Sequence, residues 1–239
     1  MKISKETLAI LKNYVEINKS LYFRKGSTIM TVSGEDITIY SRATLTESFP
    51  ENFGVYDLSQ FLSAIDLVDS PELIFQENSV LIRSGNRSIE WEFANVKVLD
   101  KALTKNATPR LPSSGIDFSV TKKDLSDLLS AVRLFGLTQI SISRGDTGKV
   151  RLSVWSEENK HANKFWIDLD QDVSSEFNVI FSVSRLKLVS GAYDIRLSSQ
   201  GDSTIYGYFK NTEKSVEYWI VADEESKMYA TDTQQVSNA

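Results

Sequence analysis

The chain has 239 residues, 41% apolar and 25% charged, and its 27 Lys and Arg against 32 Asp and Glu leave a formal net charge of −5. This composition is too apolar for a disordered chain and long enough for one large or two ordinary domains with a buried core. It excludes a surface that is basic everywhere, so any nucleic-acid contact must be local, and the lack of Cys excludes disulfides and thiolate metal sites.

In chain order, the first expected element is a helix: Ser4 offers an N-cap before KETLAILKNYVEIN, where Leu8, Leu11, Tyr14 and Val15 recur at spacings of three and four. LYFRKGSTIMTVSGEDITIYSRATL then alternates apolar and polar residues around turn signals at Lys25-Gly26 and Ser33-Gly34-Glu35-Asp36, the pattern of an antiparallel meander. A second unit opens with GVYD, continues as the helix LSQFLSAIDLV and returns as ELIFQ, SVLIRS and RSIEWEF. The stretch from about Val96 to Gly115, with two Pro and little periodicity, reads as a linker. The third unit starts with IDFSV, has the helix TKKDLSDLLSAVRLF, and adds the strands LTQISIS, KVRLSVWS and KFWIDLD. The fourth has NVIFSV, a shorter helix-like turn at SRLKLVSG stopped by Gly191, then YDIRLSS, TIYGYFK and SVEYWIVAD. A polar tail from about residue 226 is expected to be disordered. Neither a signal peptide nor an apolar run of about 18 residues stands out, which predicts a cytosolic protein without a membrane contact.

Helix starts near residues 4, 58, 121 and 184 thus recur at intervals of roughly 55 to 65 residues. The repeating unit is strand, helix, three strands. Each unit has an amphipathic helix and alternating strands, so pairs of units can bury their apolar faces together. The prediction is an α+β protein of two similar domains, 1–110 and 111–239, with helices on one face of antiparallel sheets. The repetition is plainest in DLSQFLSAIDL (Asp57 to Leu67) and DLSDLLSAVRL (Asp124 to Leu134), which keep their inward pattern but exchange Asp66 for Arg133.

The outward faces carry the candidate chemistry. On the third helix Lys123, Ser126, Ser130 and Arg133 share a side, and on the first Lys5, Ala9 and Lys12 make a comparable stripe, with Lys19 beyond its end and Glu16 weakening it. The fourth unit adds Arg185 and Lys187, whereas the second offers Ser59, Ser63 and Asp66. One such face is ordinary for a solvated helix. Three in an acidic chain would make a local positive field if gathered around one axis, and a duplex would fit it.

The opening MKISKETLAILKNYVEINKS, the sequence VYDLSQFLSAIDLV and the run FSVTKKDLSDLLSAV resemble the sliding clamp, or DNA polymerase processivity factor, of T-even-type bacteriophages. The likeness runs co-linearly through both expected domains, strongest in the first 20 residues and around 55 to 68, weak in the linker and tail. It implies the DNA-clamp fold and a head-to-tail homotrimer, helices lining a channel and sheets outside, with a formal ring charge of three times −5. Channel-facing cations would then be Lys5, Lys12, Lys19, Lys122, Lys123, Arg133, Arg185 and Lys187. The subunit interface would pair Arg87 to Phe93 with Asn163 to Asp170, bringing in Trp91, Phe93, Phe165, Trp166 and Ile167. A pocket for partner peptides would involve Leu111, Pro112, Tyr208 and Trp219. The implied partners are double-stranded DNA without sequence specificity, the chain itself, an ATP-driven clamp loader, the phage DNA polymerase through its C-terminal peptide, and late-transcription factors, all in the cytoplasm of the infected host. No catalysis and no cofactor is expected.

Other signals are weaker. Arg144-Gly145-Asp146 sits between two strands where Gly-Asp is a common turn pair. Asp168, Asp170 and Asp172 alternate along a strand without the Gly and Glu of a calcium loop, and His161, the single His, cannot build a triad or zinc site alone. A self-associating structural phage protein with no DNA role is the competing expectation; it predicts that Lys5, Lys12, Lys123 and Arg133 leave DNA synthesis unaffected.

Overall fold

The computed structural model describes residues 1–34, 36–105, 109–110, 114–156, 163–200 and 204–228. In chain order the first elements are α1 (Lys5–Ile17), β1 (Leu21–Phe23), β2 (Gly26–Val32), β3 (Ile39–Phe49), β4 (Phe53–Val55), α2 (Leu58–Asp66), β5 (Glu72–Phe75), β6 (Ser79–Ser84), β7 (Arg87–Glu92) and α3 (Lys101–Thr104). There follow β8 (Ile116–Val120), α4 (Lys122–Phe135), β9 (Gln139–Arg144), β10 (Lys149–Val154), β11 (Phe165–Asp172), β12 (Phe177–Ser182), β13 (Tyr193–Gln200), β14 (Thr204–Asn211), β15 (Val216–Val221) and β16 (Lys227–Met228). The chain forms two compact units: Met1–Arg110 with Lys187–Gly191 and Lys210–Ile220, and Leu111–Leu186 with Ala192–Phe209 and Val221–Ala239.

The helices start where capping chemistry places them. Ser4 accepts from the Thr7 amide at 3.1 Å, Asp57 accepts from the Gln60 amide at 2.9 Å, and Thr121 with Asp124 closes a capping box. α1 turns Ile10, Leu11, Tyr14 and Ile17 inward. Leu8 and Val15, expected on its apolar stripe, are only half-buried. α4 ends at Gly136, whose φ of 66° puts it in the left-handed region that glycine enters without strain.

In the first unit, β1 pairs with β4, β2 with β3, β3 with β15, and β5-β6-β7 form a three-stranded sheet; every described register is antiparallel. The core is aromatic: Phe23 stacks on Phe53 with ring centroids 4.4 Å apart and meets Phe49 edge-on at 4.8 Å. Rings buried this fully each contribute about 1.5–3 kcal/mol. Tyr14 is fully buried beneath β3, its phenolic oxygen accepting from Ser41 at 3.1 Å, and burial pushes the phenol well above its ordinary pKa.

The expected linker is partly structured. Val96–Val98 makes a 3-10 turn, Leu99 and Leu103 are buried, and Arg24 donates to the Leu103 and Lys105 carbonyls at 2.9 Å each. Gly54 permits this packing, because a Cβ there would lie 2.7 Å from Leu99 Cδ1.

In the second unit, the sheet order β11-β10-β9-β12-β16 leaves β11 at one edge, and β13 pairs with β8. Leu128 and Val132 of α4 join Ile140, Ile142, Leu152, Val154 and Phe181 in a core with fewer rings. The fourth unit's turn is only a 3-10 segment, Val183–Arg185. The polar tail is ordered at Lys227–Met228, where β16 pairs with β12.

Candidate nucleic-acid interface and assembly edges

Two sets of cations lie on helix surfaces. On the first unit, Lys5 and Lys12 stand two turns apart on α1, both exposed, and Lys19 follows just beyond its end with its ammonium 5.1 Å from the Tyr56 ring. Lys12 Nζ meets Asp66 Oδ2 of α2 at 3.0 Å, so the helix predicted to be polar without basic charge supplies the counterion. On the second unit, Lys122, Lys123 and Arg133 are exposed on α4. Lys123 pairs with Asp127 one turn on, and this hydrogen bond raises the ammonium pKa. Arg133 Nη2 donates to Ser130 Oγ at 3.2 Å, an uncharged partner.

The fourth unit's cations are held differently. Arg185 donates to Asp223 Oδ1 at 2.6 Å and to the Val221 carbonyl at 3.4 Å. Lys187 is half-buried, its carbonyl accepting from Asn13 Nδ2 at 3.1 Å. Six of the eight expected cations therefore sit exposed on or beside α1 and α4, while Arg185 and Lys187 lie in half-buried settings. Pairing partners such as Asp66 and Asp223 were hidden in the sequence because they lie 54 and 38 residues from the cations they meet.

The strands expected at an interface are both sheet edges. β7 is the last strand of β5-β6-β7, and β11 is the last of its five-stranded sheet. Their side chains differ. Trp91 and Phe93 are half-buried, Trp91 edge-on to Phe61 at 5.4 Å and Phe93 stacked on Phe53 at 4.8 Å. Phe165 and Ile167 are half-buried, whereas Trp166 is 54% exposed with the Arg151 guanidinium 5.7 Å from its ring. Arg151 also clasps Asp168 at 2.6 and 3.0 Å and Asp146 at 3.0 Å; the Asp168 hydrogen bond raises the guanidinium pKa and lowers that of the carboxyl. Two of the three carboxylates weighed as metal ligands thus pair with cations, Asp168 with Arg151 and Asp170 with Lys149. The Gly145 amide donates to the Lys149 carbonyl at 2.7 Å across the Arg-Gly-Asp turn.

Of the pocket residues, Leu111 and Pro112 lie outside the described residues, as does His161. Tyr208 is half-buried on β14. Trp219 is buried on β15, edge-on to Tyr40 at 5.3 Å and under the Arg42 guanidinium at 5.6 Å.

Helices over antiparallel sheets in two repeated units define a DNA-clamp fold, and PCNA from A. fulgidus superposes with a TM-score of 0.65 over 94% of this chain and 96% of that one, at 12% identity. Residues 4–91 match the family described as DNA polymerase processivity factor. The sliding clamp of Vibrio phage KVP40 is 30% identical over 227 residues, covering 93% of this chain and 99% of the relative. That of Escherichia phage RB69 is 27% identical over 231 residues, covering 93% and 98%. The chain belongs to the sliding clamps of T-even-type phages, the DNA polymerase processivity factors.

Proposed function

We propose that three copies close head to tail around double-stranded DNA, β7 of one copy adding to β11 of the next, and hold the phage DNA polymerase at the primer end. The observation that carries this reading is the placement of exposed cations on α1 and α4 of a chain whose formal charge is −5. Phosphate contacts of this kind read no sequence and permit sliding, while retention comes from the closed ring. Tethering keeps the polymerase at high effective concentration, which requires no chemistry from this chain. The edge positions of β7 and β11 support the pairing, since each has a row of backbone groups able to accept another strand. A clamp loader ATPase would open the ring, the polymerase would dock by its C-terminal peptide, and late-transcription factors would use the same platform, in the cytoplasm of the infected bacterium.

The test combines Lys123→Glu and Arg133→Glu, assayed for solution mass and for loader-dependent processive synthesis on circular DNA. The mass should stay near three copies of the 26.9 kDa chain, about 81 kDa, while processivity falls and falls further with salt. A trimer with undiminished processivity would remove α4 from the channel, and a chain that never leaves the monomer mass would remove the ring.

A further inference from the structure

We propose that Asp66 is a brake on the clamp's hold on DNA: it keeps Lys12 paired within the protein and so withholds one α1 cation of each copy from phosphate. This rests on the reading that α1 and α4 face the duplex. The internal repeat supplies the comparison. Asp66 and Arg133 occupy the same position in two copies of one helix, and their surroundings match. Ser63 donates back to the Ser59 carbonyl at 2.9 Å and Ser130 to the Ser126 carbonyl at 2.7 Å, and the leucines that follow are 71% and 77% exposed. The position is alike while the sign of the charge is opposite.

The contact made by Asp66 gives that sign an effect. Asp66 Oδ2 lies 3.0 Å from Lys12 Nζ, with the two side chains about equally open to solvent. So open a pair adds little to stability. Its main consequence is that the charge of Lys12 is offset, with Glu16 one turn on, while Lys5 and Lys19 stay exposed. Arg133, with only a serine hydroxyl for a partner among the described residues, keeps its whole charge available. A clamp must slide, and each additional phosphate contact is repeated in every copy of the ring, so a counterion that withholds one cation per copy keeps the contacts loose.

The test is equilibrium binding of the assembled protein to a short linear duplex, which has open ends and therefore reads contact strength without topological retention, across a sodium chloride series. Asp66→Asn should bind several-fold tighter at low salt, with the slope of log affinity against log salt steeper by up to about 2.7 if three released lysines each meet a phosphate. Asp66→Arg should bind more tightly still. In a Lys12→Ala background most of the Asn gain should vanish. If Asp66→Asn gains nothing, or gains equally without Lys12, while Lys123→Glu with Arg133→Glu weakens binding, the brake is wrong and the channel reading stands. If the α4 reversals also leave binding unchanged, the channel reading fails and the brake fails with it.

Discussion

One residue type at one repeat position does two jobs in this chain. Asp57 and Asp124 align in the repeated stretch, yet Asp57 is the N-cap of α2, whereas α4 begins one turn earlier and Asp124 closes the capping box opened by Thr121. Replacing Asp57 by Ala removes the only side-chain cap of a nine-residue helix and should cost about 1 kcal/mol; Asp124→Ala, with Thr121 still in place, should cost a few tenths. Urea midpoints of the two variants check the difference. Glu47 allows a pH prediction. Partial burial works to raise its pKa, but hydrogen bonds from Thr7 Oγ1 at 2.5 Å and from the Ser4 amide outweigh this and hold it below the ordinary value. A depressed carboxyl pKa contributes stability that is complete above the unfolded value and lost as pH falls through the folded one. Glu47→Gln should therefore be less stable than the parent at pH 7, with the gap closing below about pH 4 in thermal melts taken across pH.

At the scale of elements, the two edge strands separate core from surface. Trp91 is half-buried against Phe61, so Trp91→Ala should lower the unfolding free energy of the chain by about 1–3 kcal/mol, read from urea unfolding curves. Trp166 is exposed, so Trp166→Asp should leave the unfolding of the isolated chain nearly unchanged and, on the proposed pairing, shift the trimer toward monomer in sedimentation runs. Loss of fold in Trp166→Asp, or an unaltered trimer, would place this side chain outside the interface. The helices were legible because capping residues and three-and-four spacing are local signals, and the strands because alternation is local too. The expected linker was not legible beyond its Pro content. Leu99 and Leu103 bury themselves through contacts with Gly54 and Arg24, which no window around residue 100 contains. The sign of the outward charges could be read from the sequence; which cations are already spent on Asp66, Asp127 and Asp223 could not, except for the i,i+4 pair of Lys123.

Across the whole molecule, four repeats are visible in the order of strands, but the last has shed its helix. The stretch SRLKLVSG holds only the end of a 3-10 turn, Val183–Arg185, and Gly191 packs against the Asn211 side chain. The closest match inside the chain joins the second and third repeats, one in each compact unit, so the conserved pattern belongs to the repeat of about 60 residues more than to the domain. Leu67 and Leu134 make that kinship useful at the bench. They sit at equivalent positions, both open to solvent, in a chain without cysteine. A thiol introduced at each would be a handle for a spin label or fluorophore, giving a matched pair of probes, one per unit, whose separation could be followed in solution.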